Sequence, residues 1–217
     1  MFKLQIKYLS FFFGIVSILS FFNILYSYYF NLYLNLDTYY FTFLASSILF
    51  ITFFKFGKYD IKSNIFQRIL TIFLGYLLIP LVLSIPFYFS IYNLTFSNSF
   101  FEAISGFTST GFTVFENIKL IDQSLIIWRS STQWIGGLYF LFSIIYLIDI
   151  YDDSFKKTLT NFISFNSSEI LKQVAKIFIL YSSLTILIFI VLNIFSVRTF
   201  DSLNLALTII SSGGFLP

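Results

Sequence analysis

Residues 105–115 read SGFTSTGFTVF. Two glycines, three threonines and two serines stand together in eleven residues, while the chain around them is mostly Phe, Ile, Leu and Tyr. In a lipid-facing helix this run is a poor choice. Gly lowers helix stability, Thr is stiff at χ1, and the hydroxyls need partners. It reads either as a surface loop or as irregular backbone held inside a membrane protein.

The rest of the chain supports a membrane setting. Of 217 residues 58% are hydrophobic and only 11% charged. The mean hydropathy of +0.87 lies far outside the soluble globular range. The absence of Cys excludes disulfides and thiolate metal sites, and the absence of His excludes imidazole catalysis and His-based metal clusters. A net charge of +3 is no nucleic-acid signature, so no nucleic-acid partner is expected. The abundance of Phe reads as compositional bias. The N-terminus, MFKLQIKYLSFFFGIVSILSFF, has the lysines and apolar run of a signal peptide. It lacks a small-residue cleavage site, so it reads as a retained first helix.

Crossing about 30 Å of hydrocarbon takes about 20 apolar residues. Five runs qualify: Tyr8–Phe30, Thr38–Phe54, Ile69–Tyr92, Leu125–Ile148 and Val174–Phe195. The second is short. The third holds Pro80 and Pro86, which predict a kink. Cations set the orientation. Lys3 and Lys7 precede the first run, and Lys55, Lys58, Lys62 and Arg68 separate the second from the third. Both segments are expected in the cytoplasm, with a cytoplasmic N-terminus. Segment 149–173, with Lys156, Lys157 and Lys172, follows on the same side. Residues 93–124 then face outward.

Within that outer segment NSFFEAISGFTSTGFTVF contains a short helix, with Ser97 or Asn98 expected as its N-cap, followed by the Gly/Thr run. The helix is too short to span. The same order returns near the end. After the fifth run comes SLNLALTII, with Asp201 or Ser202 as the expected cap, and then SSGGFLP. Gly111-Phe112 aligns with Gly214-Phe215, and Ser109-Thr110 with Ser212-Gly213. Such internal repetition is an architectural sign.

Non-helical backbone at membrane depth is tolerated only where protein buries it or it lines water. Its carbonyl oxygens can replace a cation's hydration shell. Gly permits backbone angles closed to other residues. A short helix ending at such a loop turns its partially negative C-terminus toward a cation. The Ser and Thr hydroxyls either add ligands or tie the loop down.

Three stretches, FFEAISGFTSTGFTV, SLIIWRSSTQWIGG and LNLALTIISSGGF, resemble the Trk/Ktr/HKT superfamily of potassium transporters, closest to the bacterial TrkH type. In that family four membrane–pore-loop–membrane repeats in one chain surround a single pore, and TrkH-type members add two helices in front. The resemblance implies an all-α membrane protein. Residues 1–68 would hold two N-terminal helices and a basic cytoplasmic loop. Residues 69–150 would form the first pore-hairpin repeat, and 151–217 a linker and an incomplete second one. Repeats three and four and the family's gating loop are not in this chain. Because the chain stops two residues after Gly214-Phe215, it reads as a fragment of a longer transporter. Phe112 departs from the Ala of many TrkH-type first loops.

The resemblance implies potassium uptake across the inner membrane, with potassium as cargo and no cofactor. Thr108, Ser109, Thr110, Gly111 and Phe112 would form one filter loop, and Ser211, Ser212, Gly213, Gly214 and Phe215 the other. Potassium would sit at Thr110, Gly111, Gly213 and Gly214. Glu102, Gly106 and Arg129 would support the loops. The expected partners are the bilayer, a second copy of the full transporter, and a TrkA-like cytoplasmic nucleotide-binding subunit. Arg129 is read either as snorkelling beside Trp128 or as pairing with Glu102 or pore-helix carbonyls. Glu102 is either a cation attractor or a complement to the helix's positive end. Gln133 and Trp134 precede Gly136-Gly137, a pair that signals close helix packing. Trp128 and Trp134 read as interfacial belt or packing residues. Asp149, Asp152 and Asp153 read as solvated loop acids. Two other readings stand beside transport. A membrane-embedded transferase needs an acid–base or nucleophile constellation that is not visible here. A non-conducting scaffold has no need of Gly/Thr loops written twice.

Overall fold

The computed structural model describes residues 7–57, 65–148 and 170–217. All regular structure among them is helical. Helices α1 (Lys7–Tyr29) and α2 (Leu36–Phe56) form a hairpin. The turn is closed by Asn31 at φ +55°, while Leu32 N–H reaches back to Ser27 O at 2.8 Å. Asn tolerates this left-handed geometry better than most residues. Then follow α3 (Ile65–Leu83), the short α4 (Ile85–Tyr88), α5 (Phe96–Phe107), a 3-10 turn (Ile118–Leu120), α6 (Gln123–Ile148), α7 (Ile170–Ile194) and α8 (Thr199–Ile210).

Among the described residues, four segments are long and apolar enough to cross a membrane: Lys7–Tyr29, Leu36–Phe56, Ile65–Tyr88 and Val174–Ile194. They match four of the five expected runs, and the second proves longer than its sequence reading. The remaining expected run, the fourth (Leu125–Ile148), corresponds to α6. It has 26 residues, but its N-terminal half is polar. Arg129, Ser130, Ser131, Thr132 and Gln133 are all buried there, so protein rather than lipid surrounds them.

The two prolines act as expected. The third span breaks at Ser84, between Pro80 and Pro86. Proline removes a backbone donor and crowds the preceding turn. At the break the buried Trp128 donates its Nε1–H to Leu83 O at 3.0 Å. Trp134 is buried too and donates to Thr185 Oγ1 on α7 at 2.9 Å. Both indoles are therefore packing residues.

The cap readings need correction. The N-cap of α5 is Thr95, whose hydroxyl accepts from Asn98 N–H at 3.3 Å. The helix thus starts before Ser97 and Asn98. The N-cap of α8 is Arg198, without a side-chain cap. Asp201 falls inside the first turn, where it suits the positive helix end, and pairs with exposed Arg198 at 3.0 Å. The surplus of Phe and Tyr finds a structural outlet. Tyr139 on α6 packs against Phe12, Tyr76 and Phe107 with ring centroids 4.8, 5.0 and 5.4 Å away. This cluster seats the end of α5 against α1, α3 and α6.

A buried polar network fixes the start of α6 to the N-terminal hairpin. Ser124 Oγ and Asn35 Nδ2 both donate to Asp122 Oδ2, at 2.5 and 3.3 Å. Tyr39 OH bonds Ser124 Oγ, and Asn23 Nδ2 donates to Ser124 O. Sequence reading gave none of these residues a role, because Asn23, Asn35 and Tyr39 lie 85 or more positions from their partners Asp122 and Ser124.

Candidate functional site

The two short helices, α5 and α8, end in the same way. In α5, Thr110 N–H reaches Ser105 O at 2.9 Å and Ser109 N–H reaches Gly106 O at 2.9 Å. In α8, Gly213 N–H reaches Thr208 O at 2.8 Å and Ser212 N–H reaches Ile209 O at 3.0 Å. Each is a Schellman closure, in which two carbonyls of the last turn are satisfied from beyond the helix. The residue in the left-handed position is Ser109 in one (φ +56°) and Ser212 in the other (φ +53°). The geometry therefore equates Ser109 with Ser212 and Gly111 with Gly214, the pairing read from the sequence.

The loops that follow meet backbone to backbone. Gly111 has φ +81°, and a Cβ on it would lie 2.6 Å from the Cα of Gly214. A Cβ on Gly214 would lie 3.1 Å from the Cα of Gly111. Gly111 requires glycine by both conformation and contact, whereas at Gly214 a side chain would make a tight contact with Gly111. A cavity of about 540 Å³ lies against both helix ends, lined by Phe107, Thr108, Ser109, Ile210, Ser211 and Ser212 among others. Two partially negative C-termini facing one cavity favour a cation there.

α6 forms the wall behind both loops. Gly136 accepts the backbone of Phe107 at the end of α5, where a Cβ would come within 2.7 Å of Phe107 Cα. Gly137 accepts Ser211 at the end of α8, at 2.8 Å from its Cβ. The glycine pair is thus a packing device for both short helices. Gly106 is pressed against Thr132 of α6 and the ring of Phe215, the latter 3.1 Å from a built Cβ.

Arg129 is 1% exposed and Glu102 0%, and Arg129 Nε donates to Glu102 Oε1 at 2.8 Å. The snorkelling alternative for Arg129 is thereby replaced by the pairing alternative. Glu102 also accepts from Thr113 Oγ1 at 3.0 Å and from Val114 N–H at 2.9 Å. It braces the segment after the first loop from behind, so it neither stands at an open mouth nor merely complements the start of α5. Most hydroxyls act as ties. Thr108 Oγ1 donates to Ile104 O and bonds Thr110 Oγ1, and Ser211 Oγ donates to Thr208 O. Ser105 Oγ donates to Phe112 O at 2.5 Å, so that carbonyl already has a partner.

Phe112 and Phe215 occupy equivalent places and differ in environment. Phe112 is 68% exposed, whereas Phe215 is 2% exposed and lies over the Arg129 guanidinium, 4.1 Å from ring centroid to Cζ. Sequence reading missed what Gln133 does: its Oε1 accepts from Phe215 N–H at 3.3 Å. It also missed Asn204, whose Oδ1 accepts from Ser130 Oγ of α6 at 2.8 Å. A polar residue in an apolar short helix was the available signal. Asp149, Asp152 and Asp153 lie outside the described residues. Among those described, no group of three or more metal-binding side chains occurs.

The family model for TrkH, described as a cation transport protein, matches residues 40–215, well over half of the chain. An uncharacterized cation transporter of Methanocaldococcus jannaschii is 29% identical over 151 residues, covering 65% of this chain and 30% of that protein. The Trk system potassium uptake protein TrkH of Escherichia coli is 33% identical over 82 residues, covering 37% of this chain and 17% of that protein. The crystal structure of the potassium transporter TrkH from Vibrio parahaemolyticus superposes with a TM-score of 0.77 at 18% identity. It covers all of this chain and 44% of that one. This chain thus spans well under two thirds of each. Together with the four apolar spans, these matches make it a multi-pass, all-helical membrane protein. The chain belongs to the TrkH family of cation transport proteins.

Proposed function

We propose that this chain forms part of a potassium uptake pathway, in which residues 108–112 and 211–215 are two adjacent loops of the selectivity filter. The observation that carries the reading is the contact of Gly111 with Gly214 at the ends of two identically closed short helices. Thr110, Gly111, Gly213 and Gly214 supply the backbone oxygens for potassium. Dehydrated cations need such oxygens, and the helix ends lower the cost of holding a positive charge. Residues 69–150 act as the first pore hairpin, 151–217 contribute to the second, and the helices within 1–68 support them. Related proteins named as Trk system potassium uptake proteins favour potassium as the cargo. The reading makes the protein a transporter without covalent chemistry. It places the protein in the cytoplasmic membrane with its N-terminus inside. The full transporter pairs with a second copy and with a TrkA-like nucleotide-binding subunit.

The test is uptake of potassium and sodium into liposomes holding the protein expressed from its full reading frame. Potassium accumulation well above protein-free liposomes is expected, with preference over sodium. Liposomes no more permeable than controls overturn the reading.

A further inference from the structure

The filter reading leaves open what sets the distance between the two loops, and the answer lies on one face of α6. Arg129 and Gln133 stand four residues apart, so they project from the same face of that helix. Arg129 Nε holds Glu102, and Glu102 holds Thr113 and Val114, directly after the first loop. The same guanidinium lies over the ring of Phe215 in the second loop, its Cζ 4.1 Å from the ring centroid. One turn further, Gln133 Oε1 takes the Phe215 N–H at 3.3 Å. Gln133 also lies directly against Gly213, so that any side chain there would collide with it. A single helical turn therefore grips the first loop through Glu102 and the second through Phe215 and Gly213.

Stability alone is a weak reason for this arrangement. A buried ion pair usually adds no more than apolar side chains of the same size. Arg129 Nη1, Arg129 Nη2 and Gln133 Nε2 are buried without an acceptor among the described residues, which costs further desolvation. Positional control is the better reason, because planar, directional groups fix geometry where apolar packing does not.

Resting on the filter reading, we propose that Arg129 and Gln133 are positioning residues: they set the spacing of the two loops and through it the preference for potassium over sodium. Neither side chain touches the ion. The backbones of Gly111 and Gly214 touch each other, so moving Phe215 changes the gap where an ion would be held.

The test uses the protein from its full reading frame in liposomes, with potassium and sodium uptake measured in parallel and melting temperature followed in detergent. Gln133→Met keeps the shape but loses the acceptor for Phe215 N–H. It is expected to lower the potassium-to-sodium ratio by about three- to tenfold. Gln133→Glu keeps an acceptor and is expected to hold the ratio within about twofold of the parent. Phe215→Leu removes the surface under Arg129 while leaving the backbone bond, and tests the other arm should Gln133→Met not fold. Its ratio is expected to fall as well. Parent-like ratios in both Gln133→Met and Phe215→Leu, beside a lowered ratio in Gly111→Ala, overturn the proposal and leave the filter reading standing. A parent without preference, or a Gly111→Ala variant with the parent's ratio, removes both.

Discussion

The Cα of Gly214 lies where a side chain on Gly111 would have to go. A Cβ at Gly111 would fall 2.6 Å from that atom and 3.0 Å from the C and N of Gly214. The contact joins loops 103 residues apart in sequence, each held by its own short helix and both backed by α6.

Gly111→Ala is expected to push the two loops apart while leaving the helices in place. A non-Gly residue in the left-handed region costs about 1–2 kcal/mol. Since 1.4 kcal/mol is a factor of ten in binding, the potassium-to-sodium uptake ratio should drop about tenfold. Gly106→Ala meets Thr132 and the Phe215 ring instead. It is expected to lower the melting temperature and, through the Phe215 ring, to lower the ratio by less than Gly111→Ala does. Uptake ratios beside thermal unfolding in detergent distinguish the two.

Glu102→Leu leaves Arg129 charged and buried without its partner. Breaking one side of a buried pair costs about 3–5 kcal/mol, so the melting temperature should fall steeply. Combining it with Arg129→Met removes both charges and should recover most of the loss. A thermal double-mutant cycle measures this. Additive losses would mean that the 2.8 Å contact carries no coupling.

Ser109→Gly and Ser212→Gly should each be neutral or stabilising, by up to about 1 kcal/mol. Both serines hold positive φ at the left-handed position of a Schellman closure, where Gly is favoured. Ser109→Val should destabilise instead, because β-branching adds to the strain. Unfolding temperatures of the three variants settle the order.

Asn117→Cys and Lys55→Cys should react from opposite sides of the membrane. Both positions are exposed, and the chain has no cysteine of its own to give background. Labelling of intact cells with a membrane-impermeant maleimide should modify position 117 and spare position 55. Modification of both from outside would overturn the proposed orientation.

Much of the architecture is written locally. The length of an apolar run follows from bilayer thickness, so the spans were legible one by one. The order of short helix, Gly and Phe recurs along the chain, so Gly111 and Gly214 were legible as counterparts. Cap positions were less so. Thr95, Ser97 and Asn98 are all acceptable caps, and the folded chain uses Thr95. What only the tertiary structure decided is which polar groups face each other. Arg129 near one end of an apolar run is equally consistent with an interface and with an interior. Burial beside Glu102 placed it in the interior. Phe112 and Phe215 are equivalent in sequence, yet one is exposed and the other lies between Gly106 and Arg129. Burial belongs to the neighbours a residue acquires, and Phe215 acquires Gln133 from 82 positions away. No local pattern encodes such a neighbour, because it exists only once α6 has packed behind both loops.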